Sequence, residues 1–100
     1  MPTVEKISEW KAKYTYVYKA TIDSIDYYFK TLSRADYIKL QTAIAASVEE
    51  YDYELETVKV CILNEEITEE TLKAKSGIAT ILSENIMLRS GFQQVEIEEI

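Results

Sequence analysis

Residues 76–92, Ser76-Gly77-Ile78-Ala79-Thr80-Ile81-Leu82-Ser83-Glu84-Asn85-Ile86-Met87-Leu88-Arg89-Ser90-Gly91-Phe92, limit the possible folds more than any other stretch. Ile78, Ile81, Leu82, Ile86, Met87 and Leu88 spread round most of a helix circumference, which is the pattern of an element enclosed on several sides. Gly91 suits the left-handed residue that ends a helix, with Phe92 folding back as the apolar contact beyond it. A chain of 100 residues makes one small domain with a single modest core, so it has little else with which to enclose such a helix. Ile78, Ile81, Leu82 and Ile86 are therefore assigned to the chain's own core. Met87, Leu88 and Phe92, nearer the exposed end, are left for a partner.

The remaining elements follow from period and punctuation. Residues 3–13 read as a short helix capped by Thr3, leaning on the rest through Ile7 and Trp10. From Tyr14 the period becomes two, with Tyr14, Tyr16, Tyr18, Ala20 and Ile22 on one side. Asp23-Ser24 reads as a tight turn, though it lacks the usual glycine, and a second strand covers 25–31. Ser33-Arg34-Ala35-Asp36 has capping-box spacing and opens a helix with Tyr37, Leu40, Ile44 and Val48 on one stripe. Residues 49–52 interrupt it. A further helix buries Tyr51, Leu55, Val58 and Ile62, residues 64–67 connect, and Thr68 caps a short turn before Leu72. Within Gln93–Ile100, Val95 and Ile97 alternate with Glu96 and Glu98, as an edge strand or as a tail that orders on contact, and the tail is favoured. The expected fold is α+β: an N-terminal helix and β-hairpin packed against three to four α-helices over residues 1–92, with 93–100 an acidic tail.

Chemistry-bearing residues are sparse. The chain has no histidine, the commonest general base and metal ligand, and its one cysteine cannot build a thiolate zinc cage. Cys61 lies among Val58, Val60, Ile62 and Leu63 and reads as a core filler. Gly77 and Gly91 are too far apart for a phosphate loop, and adjacent glutamates on a helix diverge instead of facing each other. No enzyme, metal or cofactor is expected. Residues 1–40 carry seven basic and five acidic side chains, against four and thirteen in residues 41–100. That imbalance disfavours nucleic-acid binding; it reads first as a solvated acidic surface that keeps the protein soluble, and it is compatible with a basic partner or head-to-tail contact between copies. The N-terminal residues lack a signal-peptide apolar region, and no run approaches bilayer length, so a soluble, cytoplasmically made protein without membrane contact is expected.

The order helix, tyrosine-rich hairpin, then Leu32-Ser33-Arg34-Ala35-Asp36-Tyr37 opening a helix resembles small tail assembly chaperones and baseplate-assembly proteins of contractile-tailed bacteriophages. The lead-in Trp10-Lys11-Ala12-Lys13-Tyr14 and the ending Ile81–Phe92 are similar to theirs too, whereas residues 49–66 fall outside the likeness. The resemblance implies a non-catalytic assembly or virion structural protein with phage tail, tape-measure or baseplate partners. It places the protein in the host cytoplasm during assembly or in the virion, and it carries over no catalytic residue. Trp10, Tyr14, Tyr16, Met87, Leu88 and Phe92 are the expected contact residues, with Glu96, Glu98 and Glu99 adding charge, and a homo-oligomer is compatible. The alternative is an acidic inhibitor that mimics nucleic acid in a basic groove of a host protein.

Overall fold

The computed structural model describes residues 2–47, 51–92 and 95–100. Helix α1 (Val4–Lys13) starts where Thr3 Oγ1 accepts the Lys6 N–H at 3.1 Å, and it ends where the Tyr14 N–H donates to the Trp10 carbonyl at 2.8 Å. Glu5 in its first turn and Lys11 and Lys13 in its last complement the helix dipole. The cap at Tyr14 takes residues 14–16 away from the expected strand, so β1 is Val17–Ile22, paired antiparallel with β2 (Ile25–Lys30). Asp23 and Ser24 both lie in the left-handed region, at φ 50° and 66°, as a two-residue hairpin turn requires. Neither is glycine. Asp23 tolerates that conformation better than most residues and is also held by Lys75, whose Nζ donates to its carboxylate at 2.9 Å.

The register pairs Tyr18 with Phe29 and Ala20 with Tyr27 on one face, and Lys19 with Tyr28 on the other. The first face enters the core, with Tyr27 and Phe29 buried. On the second face Tyr28 is covered by Trp10, their ring centroids 5.5 Å apart. A lone hairpin is barely stable in water, and here both faces of β2 are covered.

Helix α2 (Arg34–Ala46) is capped as expected by Ser33, whose Oγ accepts the Asp36 N–H. The Asp36 carboxylate pairs with Lys30 at 3.4 Å. Only Leu40 of α2 is buried: Ile44 is exposed, and Val48 and residues 49–50 of the expected interruption lie outside the described residues. The second half of α2 thus stands clear of the core. Helix α3 (Tyr53–Cys61) is capped by Asp52 and buries Leu55, Thr57, Val58 and Cys61, while Tyr51 and Ile62 at its flanks are half-buried. Helix α4 (Glu69–Lys73) is capped by Thr68 and buries Leu72.

Helix α5 (Ser76–Arg89) packs chiefly on α3. Ile78, Leu82 and Ile86, at steps of four, form its buried stripe, flanked by Ser83. The expectation that it is enclosed on most sides is corrected. Ile81 is 47% exposed and Leu88 50%, because residues seven apart share a face and that face looks away from the core. Its end follows the expected geometry: Gly91 has φ 98°, the Phe92 N–H donates to the Met87 carbonyl, and the Gly91 N–H donates to that of Leu88.

Residues 62–64, expected only as the end of a helix and a connection, complete the sheet. Ile62 forms an isolated bridge with Phe29, the Leu63 N–H donates to the Tyr28 carbonyl, and buried Asn64 takes over where the backbone stops pairing. Its Oδ1 accepts the Tyr28 N–H at 3.1 Å, and its Nδ2 donates to the Asp26 carbonyl at 2.9 Å and to Glu66 at 3.0 Å. Asn64 thus supplies a donor and an acceptor along the outer edge of β2, as a third strand would. The buried hydroxyl of Tyr27, by contrast, has no hydrogen-bond partner among the described residues.

Cys61 is the core filler the sequence indicates, with no exposed surface. Burial pushes its thiol from 9.0 up to about 11, opposed by Lys30 and reinforced by Asp36. The folded state therefore keeps this proton where the unfolded chain releases it. The associated stability is complete below pH 9.0 and is lost as the pH rises to about 11. Wild type is expected to lose stability relative to Cys61→Ala over that window, measured by urea unfolding on both sides of it.

Candidate protein-contact surface

Four element ends converge at the open end of the hairpin, opposite the Asp23-Ser24 turn: the C-terminus of α1, the start of β1, the N-terminus of α2 and the C-terminus of α5. Two contacts join the last two. Phe92 packs on Tyr37 with ring centroids 4.9 Å apart, and Ser90 Oγ accepts the Leu32 N–H at 2.8 Å. The Schellman turn at Gly91 is what aims Phe92 back at α2. Ile38, next to Tyr37 in α2, and Leu88, in the last turn of α5, are both exposed.

Cations at this end lie over tyrosine rings. Lys13 and Lys30 are 5.4 Å and 5.5 Å from the Tyr14 ring centre, Arg34 is 5.4 Å from that of Tyr37, and Arg89 is 5.3 Å from that of Tyr18. Each such pair contributes about 0.5–1 kcal/mol at an exposed site and holds a long side chain in place. The result is a basic, aromatic end on an acidic protein. Aromatic and arginine side chains rimming exposed aliphatics have the composition of a protein-binding surface.

The expected contact residues are distributed unevenly over it. Tyr14 is half-buried at this end, and Phe92 is 43% exposed with one face on Tyr37. Tyr16, just before β1, is 57% exposed. Met87 is half-buried against the core, a position intermediate between the two roles considered for it. Trp10 requires correction: it is buried against Tyr28 and holds α1 to the sheet, so it is not free for a partner. Glu96, Glu98 and Glu99 are exposed on the acidic segment, whose first two residues, Gln93 and Gln94, lie outside the described residues. Arg34, Tyr37, Ile38 and Arg89 were not singled out in the sequence. Tyr37 reads there as part of the apolar stripe of its helix, and only the return of Phe92 brings the end of α5 to it.

Several acids of the C-terminal half are engaged within the chain. Glu54 accepts from Thr80, Glu66 accepts from Asn64, and Glu56 and Glu69 pair with Lys59 and Lys73. Among the described residues no three His, Cys, Asp or Glu side chains are grouped closely enough to share a metal ion. No helix among them is long and apolar enough to cross a membrane. No protein-family model matches the chain, and no curated protein or solved structure matches it either.

Proposed function

We propose that this protein is a non-catalytic binding protein that uses the open end of its hairpin to hold another protein. The observation that carries the reading is the contact of Phe92 with Tyr37, held beside the Ser90–Leu32 hydrogen bond, with exposed Ile38 on α2 and exposed Leu88 on α5. Such a junction supports binding because little side-chain freedom is left to lose when a partner arrives. The kind of partner comes from the sequence resemblance: a tail, tape-measure or baseplate component of a contractile-tailed bacteriophage, engaged in the host cytoplasm during assembly or within the particle.

Coexpression with the tail-tube, tape-measure or baseplate proteins of its own genome is expected to give a co-purifying complex. Leu88→Glu should abolish that complex while leaving the helical circular dichroism unchanged, since Leu88 is half exposed and lies off the buried stripe of α5. A Leu88→Glu protein that is folded and still bound sinks the proposal.

A further inference from the structure

The two edges of the hairpin are treated differently. In β2 the Tyr28 N–H and C=O point outward, because Tyr28 and Lys19 form a pair that does not exchange hydrogen bonds, and residues 63–64 satisfy both groups. By the same register Val17, Lys19 and Thr21 of β1 present their N–H and C=O groups to the opposite side. There the sheet ends: it has two strands, and among the described residues no backbone group bonds to the outer edge of β1. Three donors and three acceptors stand in a row, the arrangement that takes up an added strand.

The chain also carries a segment of matching character. Val95–Glu98 alternates apolar and acidic residues before Glu99 breaks the period, and the six residues 95–100 match β1 in length and lie exposed, with Ile97 at 89%. Placed beside β1 with its period of two, it puts Val95 and Ile97 on the face of half-buried Tyr18, Ala20 and Ile22. Glu96 and Glu98 then fall on the face of Lys19, which is exposed and has no ion pair among the described residues. A lysine in the middle of an edge strand ordinarily repels an apolar intruder, so it admits an acidic strand selectively. Arg89 over Tyr18 and the exposed Lys13 add positive charge at the Val17 end of the edge.

From the open β1 edge, the strand-like alternation and the charge match, we infer that the acidic segment Val95–Ile100 of a second copy of this chain adds to the outer edge of β1. The segment of the same copy leaves α5 beside Tyr18 yet stands free of its own edge, which leaves that edge to another copy. Reciprocal exchange closes a two-fold dimer, and one-way exchange builds a chain of copies.

The test is sedimentation of the full chain over a concentration series, alone and with two kinds of variant. Lys19→Pro removes the central edge donor without touching the β1–β2 ladder, because that N–H points away from β2. Lys19→Glu replaces it if the proline variant shows lost circular dichroism. Val95→Glu with Ile97→Glu spoils the added strand at exposed positions that the fold does not use. Wild type is expected to associate as concentration rises and to dissociate with added salt. Each variant should stay monomeric, and a mixture of the two should restore association, since each supplies the half the other lacks. A wild type that is monomeric throughout overturns the inference, whether hydrogen exchange finds residues 95–100 protected on their own edge or free. Variants that associate like wild type, or a mixture that stays monomeric, overturn it equally. Leu88→Glu leaves this self-association intact, which separates it from the partner surface proposed above.

Discussion

Asn64→Leu is expected to lower the unfolding free energy by about 3 kcal/mol, although leucine matches the volume and adds apolar surface. The loss comes from what is left behind. The Tyr28 N–H, which Asn64 Oδ1 accepts, and the Asp26 carbonyl, to which its Nδ2 donates, both lose their partners on the covered edge of β2. An unsatisfied buried group of this kind costs about 1–3 kcal/mol. Two of them take a large share of the roughly 5–15 kcal/mol available to a small domain. Asn64→Asp should fare no better: a carboxylate still accepts from Tyr28 but cannot donate to Asp26, and it sets a second negative charge beside Glu66. The amide of Asn64 also holds the Glu66 carboxyl below its ordinary value. Guanidinium unfolding gives the stability change, and an NMR titration should find the Glu66 pKa raised in both variants. Asn64→Leu with wild-type stability would falsify the strand-completing role.

Leu82→Ala should cost about 3–4 kcal/mol, the range for a buried leucine whose cavity cannot collapse. In a domain of this size that corresponds to a fall in melting temperature of roughly 15 °C. Leu82 has no exposed surface and lies at the centre of the α3–α5 packing with Ile78 and Ile86. Leu88, six residues on in the same helix, is half exposed, and Leu88→Ala should change stability by no more than about 0.5 kcal/mol. Residue type and helix are the same in both variants, so the contrast isolates burial. Comparable losses from the two would place the core face of α5 wrongly. Calorimetry on the pair decides it.

Local features were legible in the sequence because they are settled within four residues of chain. Thr3, Ser33 and Thr68 cap helices where expected, and Gly91 ends α5 in the left-handed region. The Asp23-Ser24 turn holds without glycine. The α+β fold follows from these and from the change of period at the hairpin. What could not be read depends on partners far along the chain. Asn64 looks like an ordinary connection residue until Tyr28, 36 positions earlier, is brought beside it. Trp10 reads both as the residue through which α1 leans on the rest and as a contact for a partner, and only its burial against Tyr28 decides for the first. Ile81 looks like core because hydrophobicity alone does not choose which side of an all-round apolar helix meets α3. At the candidate surface the exposure of Leu88 agrees with its place late in α5, whereas the meeting of Tyr37 with Phe92 and of Arg89 with Tyr18 could not be read, because both depend on where the end of α5 comes to lie.

The closure of β2 by residues 62–64 also bears on synthesis. As the chain leaves the ribosome the hairpin is complete once Lys30 has emerged, yet the outer edge of β2 has to wait for Ile62, Leu63 and Asn64. During that interval a tyrosine-rich ribbon has neither edge covered, which is the condition under which nascent chains pair with one another. The aromatic cover that Trp10 gives Tyr28 comes from a helix already made, so one face of the ribbon can be sheltered first. Translation through residues 31–64 is then the period in which this protein is most exposed to misassembly.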